Sequence, residues 1–170
     1  MYKRILVPLD GSTTSTKGLD EAIKLANLTG ASLRLIHVVD ELLFVSGFET
    51  CATYVNDVVP TLKRQGERIL EEGIDRATAV GAKVETKLLE CLGHRASDII
   101  LDEARAWNAD LIVIGTHGRR GFARLFLGSD AEQISRTSPT PVLLVRAPEQ
   151  PQKPLDVVPD STSVPVPDLV

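Results

Sequence analysis

Five short apolar runs alternate with amphipathic stretches along the chain, and this alternation predicts strands separated by helices. After its first residue, Arg4 to Leu9 is nearly continuous in hydrophobicity, the pattern of a strand buried on both faces, and Asp10-Gly11-Ser12 breaks it. Leu19, Ala22, Ile23 and Ala26 recur at helical spacing and Gly30 supplies a stop, so a first helix is expected over residues 13–29. A second strand is expected from Leu33 to Val39. The pattern lapses from Asp40 to Thr53. Val55, Val58, Val59, Leu62, Ile69, Leu70, Ala77 and Val80 then form a stripe ending near Gly81, with Pro60 and Gly66 predicting a kinked or late-starting helix. Val84, Thr86 and Leu88 alternate with Glu85 and Lys87, as in an edge or near-edge strand. Ala96, Ile99, Ile100, Ala104 and Trp107 mark a third helix, Leu111 to Ile114 a fourth strand, Ser129 to Thr137 a short helix, and Val142 to Val145 a fifth strand. Strict alternation implies right-handed crossovers and an open, mostly parallel five-stranded α/β sheet with helices on both faces.

Residues 148–170 differ in kind, holding six of the ten prolines and no aromatic residue, and are expected to form a disordered or extended tail. Residues 1–147 suffice for one domain with a substantial core. Apolar residues make up 43% of the chain and aromatics only 4%, which predicts an aliphatic core without the stacking platforms of single-strand nucleic-acid binders. The net charge of -4 also argues against a nucleic-acid partner, since Lys3, Arg4, Arg119, Arg120 and Arg124 are the only local basic concentrations. Cys51 and Cys91 stand in no ligand or redox pattern and read as free thiols. The run from Ile5 to Leu9 is too short for a signal peptide or a membrane span, so the expected location is the cytoplasm.

Chemistry concentrates in two breaks. Where Leu111-Ile112-Val113-Ile114 stops, Gly115-Thr116-His117-Gly118 begins, followed after nine residues by Gly128-Ser129. A glycine-rich turn lets backbone amides approach an anion, and a following helix N-terminus adds unpaired N–H groups, so phosphate is the expected guest. The other break, Pro8-Leu9-Asp10-Gly11-Ser12, offers a carboxylate for ribose hydroxyls or a divalent cation, although Asp10 is equally suited to capping the first helix or holding its turn. Ser129 could likewise serve as the cap of the fourth helix. In open parallel sheets ligands sit beyond the carboxyl ends of the strands where the chain order reverses. His37, in an apolar strand, reads as a satisfied core residue, and none of His37, His94 and His117 pairs with another at a metal-ligand spacing. There is no Gly-x4-Gly-Lys-Ser/Thr loop, because the stretch from Gly11 to Lys17 lacks the second glycine, and no Gly-x-Gly-x-x-Gly. Binding with at most slow hydrolysis is therefore expected.

Taken together, Pro8-x-Asp10-Gly11-Ser12, His37-Val38-Val39-Asp40, Gly115-Thr116-His117-Gly118 and Gly128-Ser129 resemble the universal stress protein family, over about Tyr2 to Ala147. The resemblance is to the subgroup that binds ATP. It implies an adenine nucleotide alpha hydrolase-like fold with strand order 3-2-1-4-5, and a stress-response regulator with little or no enzyme activity. It makes Asp10 a partner for ribose hydroxyls or for Mg or Mn, and Val38 a backbone partner for adenine. Pro8, Leu9 and Ile114 would wall the base, and Gly115 and Gly118 would let the loop close over ribose and α-phosphate. Arg119 and the amides of Gly128, Ser129 and Asp130 would face the outer phosphates. Asp130 departs from the family pattern, where a small apolar residue is common, and its carboxylate would repel phosphate, which keeps AMP, ADP and cyclic nucleotides as alternatives to ATP. A slow metal-dependent ATP hydrolase or phosphotransferase is the alternative activity. The apolar fifth strand, Pro141 to Arg146, is expected to pair with a second copy in a homodimer.

Overall fold

The computed structural model describes residues 1–40, 58–91, 93–116 and 127–146. Over these residues the chain runs β1 (Arg4–Pro8), α1 (Thr13–Thr29), β2 (Ser32–Asp40), α2 (Val59–Thr78), β3 (Lys83–Cys91), α3 (Ala96–Ala106), β4 (Leu111–Gly115), α4 (Ser129–Thr137) and β5 (Val142–Val145). The strands form one sheet in the order β3-β2-β1-β4-β5, and every pair is parallel. The predicted order is therefore found, with β1 and β4 adjacent at its centre.

Each face of the sheet has its own aliphatic core. Ile5, Val7, Leu33, Leu35 and Val113 pack beneath Leu19, Ala22 and Ala26 of α1 and Leu70 and Ala77 of α2. Leu6, Ile36, Ile112 and Ile114 pack against Ile100, Leu101 and Ala104 of α3 and Ala131 and Ile134 of α4. Successive residues of a strand point to opposite faces, so a central strand covered on both sides must be apolar throughout, which is why β4 reads as a continuous run. At one edge, β3 exposes Lys83, Glu85, Thr86, Lys87 and Glu90. At the other, β5 exposes Leu143 and Leu144 at 38% and 37%.

Helix boundaries follow local chemistry. Gly30 closes α1 in the left-handed region, at φ 73°, with its N–H bonded to Ala26 O. Pro60 lies in the first turn of α2, where its missing N–H has no intrahelical acceptor to lose. Gly66 does not interrupt α2. A Cβ there would stand 2.6 Å from both His37 Cδ2 and Leu88 Cδ1, so the glycine lets the helix lie close on the sheet.

On the opposite face, Glu103 of α3 is 5% exposed and accepts Arg34 Nη1 at 2.5 Å and Lys87 Nζ at 2.6 Å. Arg34 also reaches Glu85 at 3.0 Å and lies over the Trp107 ring at 4.6 Å. Two cations from neighbouring strands thus compensate one buried carboxylate and fasten α3 to β2 and β3. Among the described residues no helix is long and apolar enough to cross a membrane.

Candidate functional site

The strand order reverses between β1 and β4, the place in an open parallel sheet where ligands bind beyond the carboxyl ends of the strands. Pro8 is the last residue of β1 and is half-buried, Leu9 is buried, and Asp10 is half-buried. Asp10 Oδ1 accepts the Ser12 amide at 2.9 Å, closing the turn that leads into α1. The cap of α1 is Ser12, whose Oγ accepts the Ser15 amide at 3.1 Å. Of the two local roles open to Asp10 in the sequence, the structure gives it the turn and gives Ser12 the cap. Ser12 has the expected sequence signature, a hydroxyl residue immediately before the helical stretch.

Gly115 ends β4 and is buried. A Cβ on it would stand 2.7 Å from Thr14 C, 2.8 Å from Thr14 O and 2.9 Å from Ser15 N. Only a glycine lets the end of β4 meet the backbone of the first turn of α1, and that contact draws the two breaks together. Thr116, 3% exposed, continues the rim: its amide donates to Val145 O at 2.9 Å and its carbonyl accepts from Gly128 N at 2.8 Å. The start of α4 is thereby tied to the end of β4. Gly128, and not Ser129, holds the N-cap position, and no side-chain cap is present. Ser129 is the first helical residue, and both it and Asp130 are exposed. Asp130 and Glu132 in the first turn complement the positive end of the helix dipole.

Val38 lies on β2, half-buried, one strand from β1, and Ile114 is 8% exposed at the end of β4. His37 is buried, with Nδ1 2.6 Å from Leu9 O, as a satisfied core histidine should be. Gly118 and Arg119 lie outside the described residues, as do His117, Arg120, Arg124, Cys51 and the tail from 148 to 170. Cys91, at the end of β3, is 1% exposed. Burial pushes its thiol pKa up, and the charges of Asp40, Asp130 and Asp98 act in the same direction. Among the described residues no group of three or more His, Cys, Asp or Glu side chains is arranged to hold a metal ion. The contacts of Gly115 with Thr14 and Ser15, and of Gly128 with Thr116, bring a carboxylate turn, a strand end and two helix N-termini together at the carboxyl end of the sheet, groups that can bind an anion.

Comparisons with known proteins give the same architecture. A model of the Universal stress protein family matches residues 1–146. Universal stress protein YxiE of Bacillus subtilis is 34% identical over 151 residues, covering 86% of this chain and 100% of that protein. Universal stress protein MJ0531 of Methanocaldococcus jannaschii is 35% identical over 150 residues, covering 88% and 85% respectively. Among solved structures, hypothetical protein MJ0577 is 27% identical with a TM-score of 0.75, covering 88% of this chain and 99% of its own. A universal stress protein in complex with cAMP is 27% identical with a TM-score of 0.60, covering 85% and 97%. The universal stress protein of Archaeoglobus fulgidus in complex with dAMP is 25% identical with a TM-score of 0.58, covering 85% and 98%.

Proposed function

The chain belongs to the universal stress protein family, and from that premise we propose that it is a cytoplasmic adenine-nucleotide-binding regulator that holds ATP with little or no hydrolysis. The observation that carries this reading is the meeting of the Pro8–Asp10 turn and the Gly115–Thr116 strand end where the strand order reverses, through the Gly115 contact with α1. Nucleotide complexes of solved relatives, with cAMP and with dAMP, support the ligand class.

In this reading Asp10 faces ribose hydroxyls or a Mg or Mn ion, Val38 offers its backbone to adenine, and Pro8, Leu9 and Ile114 wall the base. Gly118 and Arg119 close over the phosphates with Gly128, Ser129 and Asp130. The turn bond from Ser12 N to Asp10 Oδ1 suits such a role, because it fixes the carboxylate before any ligand arrives. The exposed Asp130 favours a second reading, in which a monophosphate or cyclic nucleotide is the resident ligand, since its carboxylate opposes each added phosphate charge. Residues 148–170 serve as an appendage to a domain ending near residue 147, and two copies pair through β5.

Mass spectrometry of gently purified protein for bound adenine nucleotide, followed by calorimetry with ATP, ADP, AMP and cAMP, tests the proposal. A tail-deleted chain should retain the same affinity. Turnover of ATP with Mg or Mn faster than about 1 per second, abolished in Asp10→Ala, would replace the binding module by a hydrolase. No adenine nucleotide on the purified protein and no heat on titration would remove the reading altogether.

A further inference from the structure

The ladder between β1 and β2 runs in register from Arg4↔Ser32 to Pro8↔Ile36, and stops there. Leu9 keeps half of the next rung, its amide donating to Ile36 O at 2.8 Å. The other half would be an N–H from Val38 to Leu9 O. Leu9 O is met by a side chain: His37 Nδ1 stands 2.6 Å from it. A carbonyl can only accept, so Nδ1 carries the proton.

The consequence for Val38 follows from strand geometry. In a parallel ladder the N–H and C=O of one residue point to the same neighbouring strand, and alternate residues point to opposite neighbours. Ile36 O is turned to β1, so the N–H and C=O of Val38 turn the same way, past the last rung and toward the carboxyl end of the sheet. The His37 backbone faces β3. On the reading that an adenine nucleotide binds at this end of the sheet, we infer that His37 is a positioning residue. Its imidazole takes the Leu9 carbonyl that the Val38 amide would otherwise reach, and so keeps the Val38 backbone available to the base. An adenine edge, with an acceptor beside an amino donor, matches such a backbone pair.

Helix α2 holds the ring in this position. A Cβ on Gly66 would stand 2.6 Å from His37 Cδ2 and 3.3 Å from Nε2, so the helix backbone lies on the imidazole edge opposite its bond to Leu9. The ring is 6% exposed and cannot swing to solvent unless α2 lifts. Gly66 and His37 thus form one joint.

Amide hydrogen exchange by NMR on the ligand-free chain tests the inference without relying on nucleotide. In the wild type, Val38 should exchange at least about tenfold faster than Ile36, whose amide lies within the ladder. His37→Leu removes the donor, so Leu9 O is released to Val38 and the Val38 amide should gain at least about tenfold protection. His37→Asn keeps an N–H near the Nδ1 position and should behave like the wild type. Gly66→Ala, which displaces the ring without removing it, should shift Val38 toward the His37→Leu pattern. In calorimetry AMP should bind His37→Leu at least about tenfold more weakly and His37→Asn nearly as the wild type. A Val38 amide already as protected as Ile36 in the wild type overturns the inference, even if His37→Leu fails to fold. Unchanged Val38 exchange in a folded His37→Leu overturns it as well. Failure of the wild type to bind AMP while the exchange pattern holds counts against the nucleotide reading and leaves the His37 assignment standing.

Discussion

Gly115 acts through what a methyl group in its place would strike, three backbone atoms of Thr14 and Ser15 within 2.9 Å. Backbone at the start of a helix cannot move aside as the end of a flexible side chain can. Gly115→Ala is therefore expected to lower stability by about 1–3 kcal/mol, read as a shift of the urea midpoint. It should also separate β4 from α1. The glycine itself was visible in the sequence, but its reason was not, because the contact joins residues a hundred positions apart. Cys91 yields a second expectation at this scale. Its thiol pKa is raised by burial above the ordinary value of 9.0, so the folded state holds the proton longer than the unfolded chain. The resulting stability is full below pH 9.0 and is lost as pH rises through the folded value. Urea denaturation of wild type and Cys91→Ala at pH 8 and pH 10.5 checks this: the wild type should lose more stability than the variant over that interval.

At the scale of elements the hydrophobic pattern carried most of the architecture, and where it fell short the cause was tertiary. The predicted bounds of α1, α4 and β5 match those observed, because each is set by neighbouring residues: the Gly30 stop, the apolar positions Ala131 and Ile134, and the prolines before Val142. Helix α2 begins at Val59 with Pro60 in its first turn, the late start that the proline predicts, and Gly66 accommodates a histidine on another strand. The two breaks were legible, and a hydroxyl residue just before the helical stretch marks Ser12 as a cap, whereas the cap at Gly128 emerged only from the backbone conformation. Glu103 falls on the apolar stripe of α3, three residues after Ile100 and four before Trp107, and the periodicity of the helix could not show its partners, because Arg34 and Lys87 come from β2 and β3. Their placement predicts an asymmetry. Glu103→Ala leaves Arg34, only 18% exposed, to its bonds with the more exposed Glu85 and should cost about 1–3 kcal/mol. Lys87→Ala removes a 48%-exposed side chain, leaves the Arg34 bond to Glu103 in place, and should cost less than about 1 kcal/mol. Chemical denaturation of both variants and of the double variant gives these values and their coupling.

For the molecule as a whole, the two sheet edges differ in a way that bears on assembly. β3 ends the sheet in charge, with Lys83, Glu85, Lys87 and Glu90 exposed, a composition that discourages strand addition. β5 ends it with Leu143 and Leu144, each more than a third exposed. Pro141 O accepts from Ile112 N and Val145 O from Thr116 N, so the odd-numbered carbonyls of this edge face β4. The backbone groups of Val142 and Leu144 therefore face outward, where a second β5 related by a two-fold axis can pair antiparallel and cover the leucines. Leu144→Pro isolates this prediction. It removes an outward N–H and adds a ring incompatible with a new ladder, while the bonds from β5 to β4, which run through residues 141, 143 and 145, remain. Sedimentation at micromolar concentration should find the wild type dimeric and Leu144→Pro monomeric, with the same far-UV circular dichroism. A dimeric Leu144→Pro would move the interface away from β5, and a monomeric wild type would mean that the apolar edge is not held by a second copy of the chain.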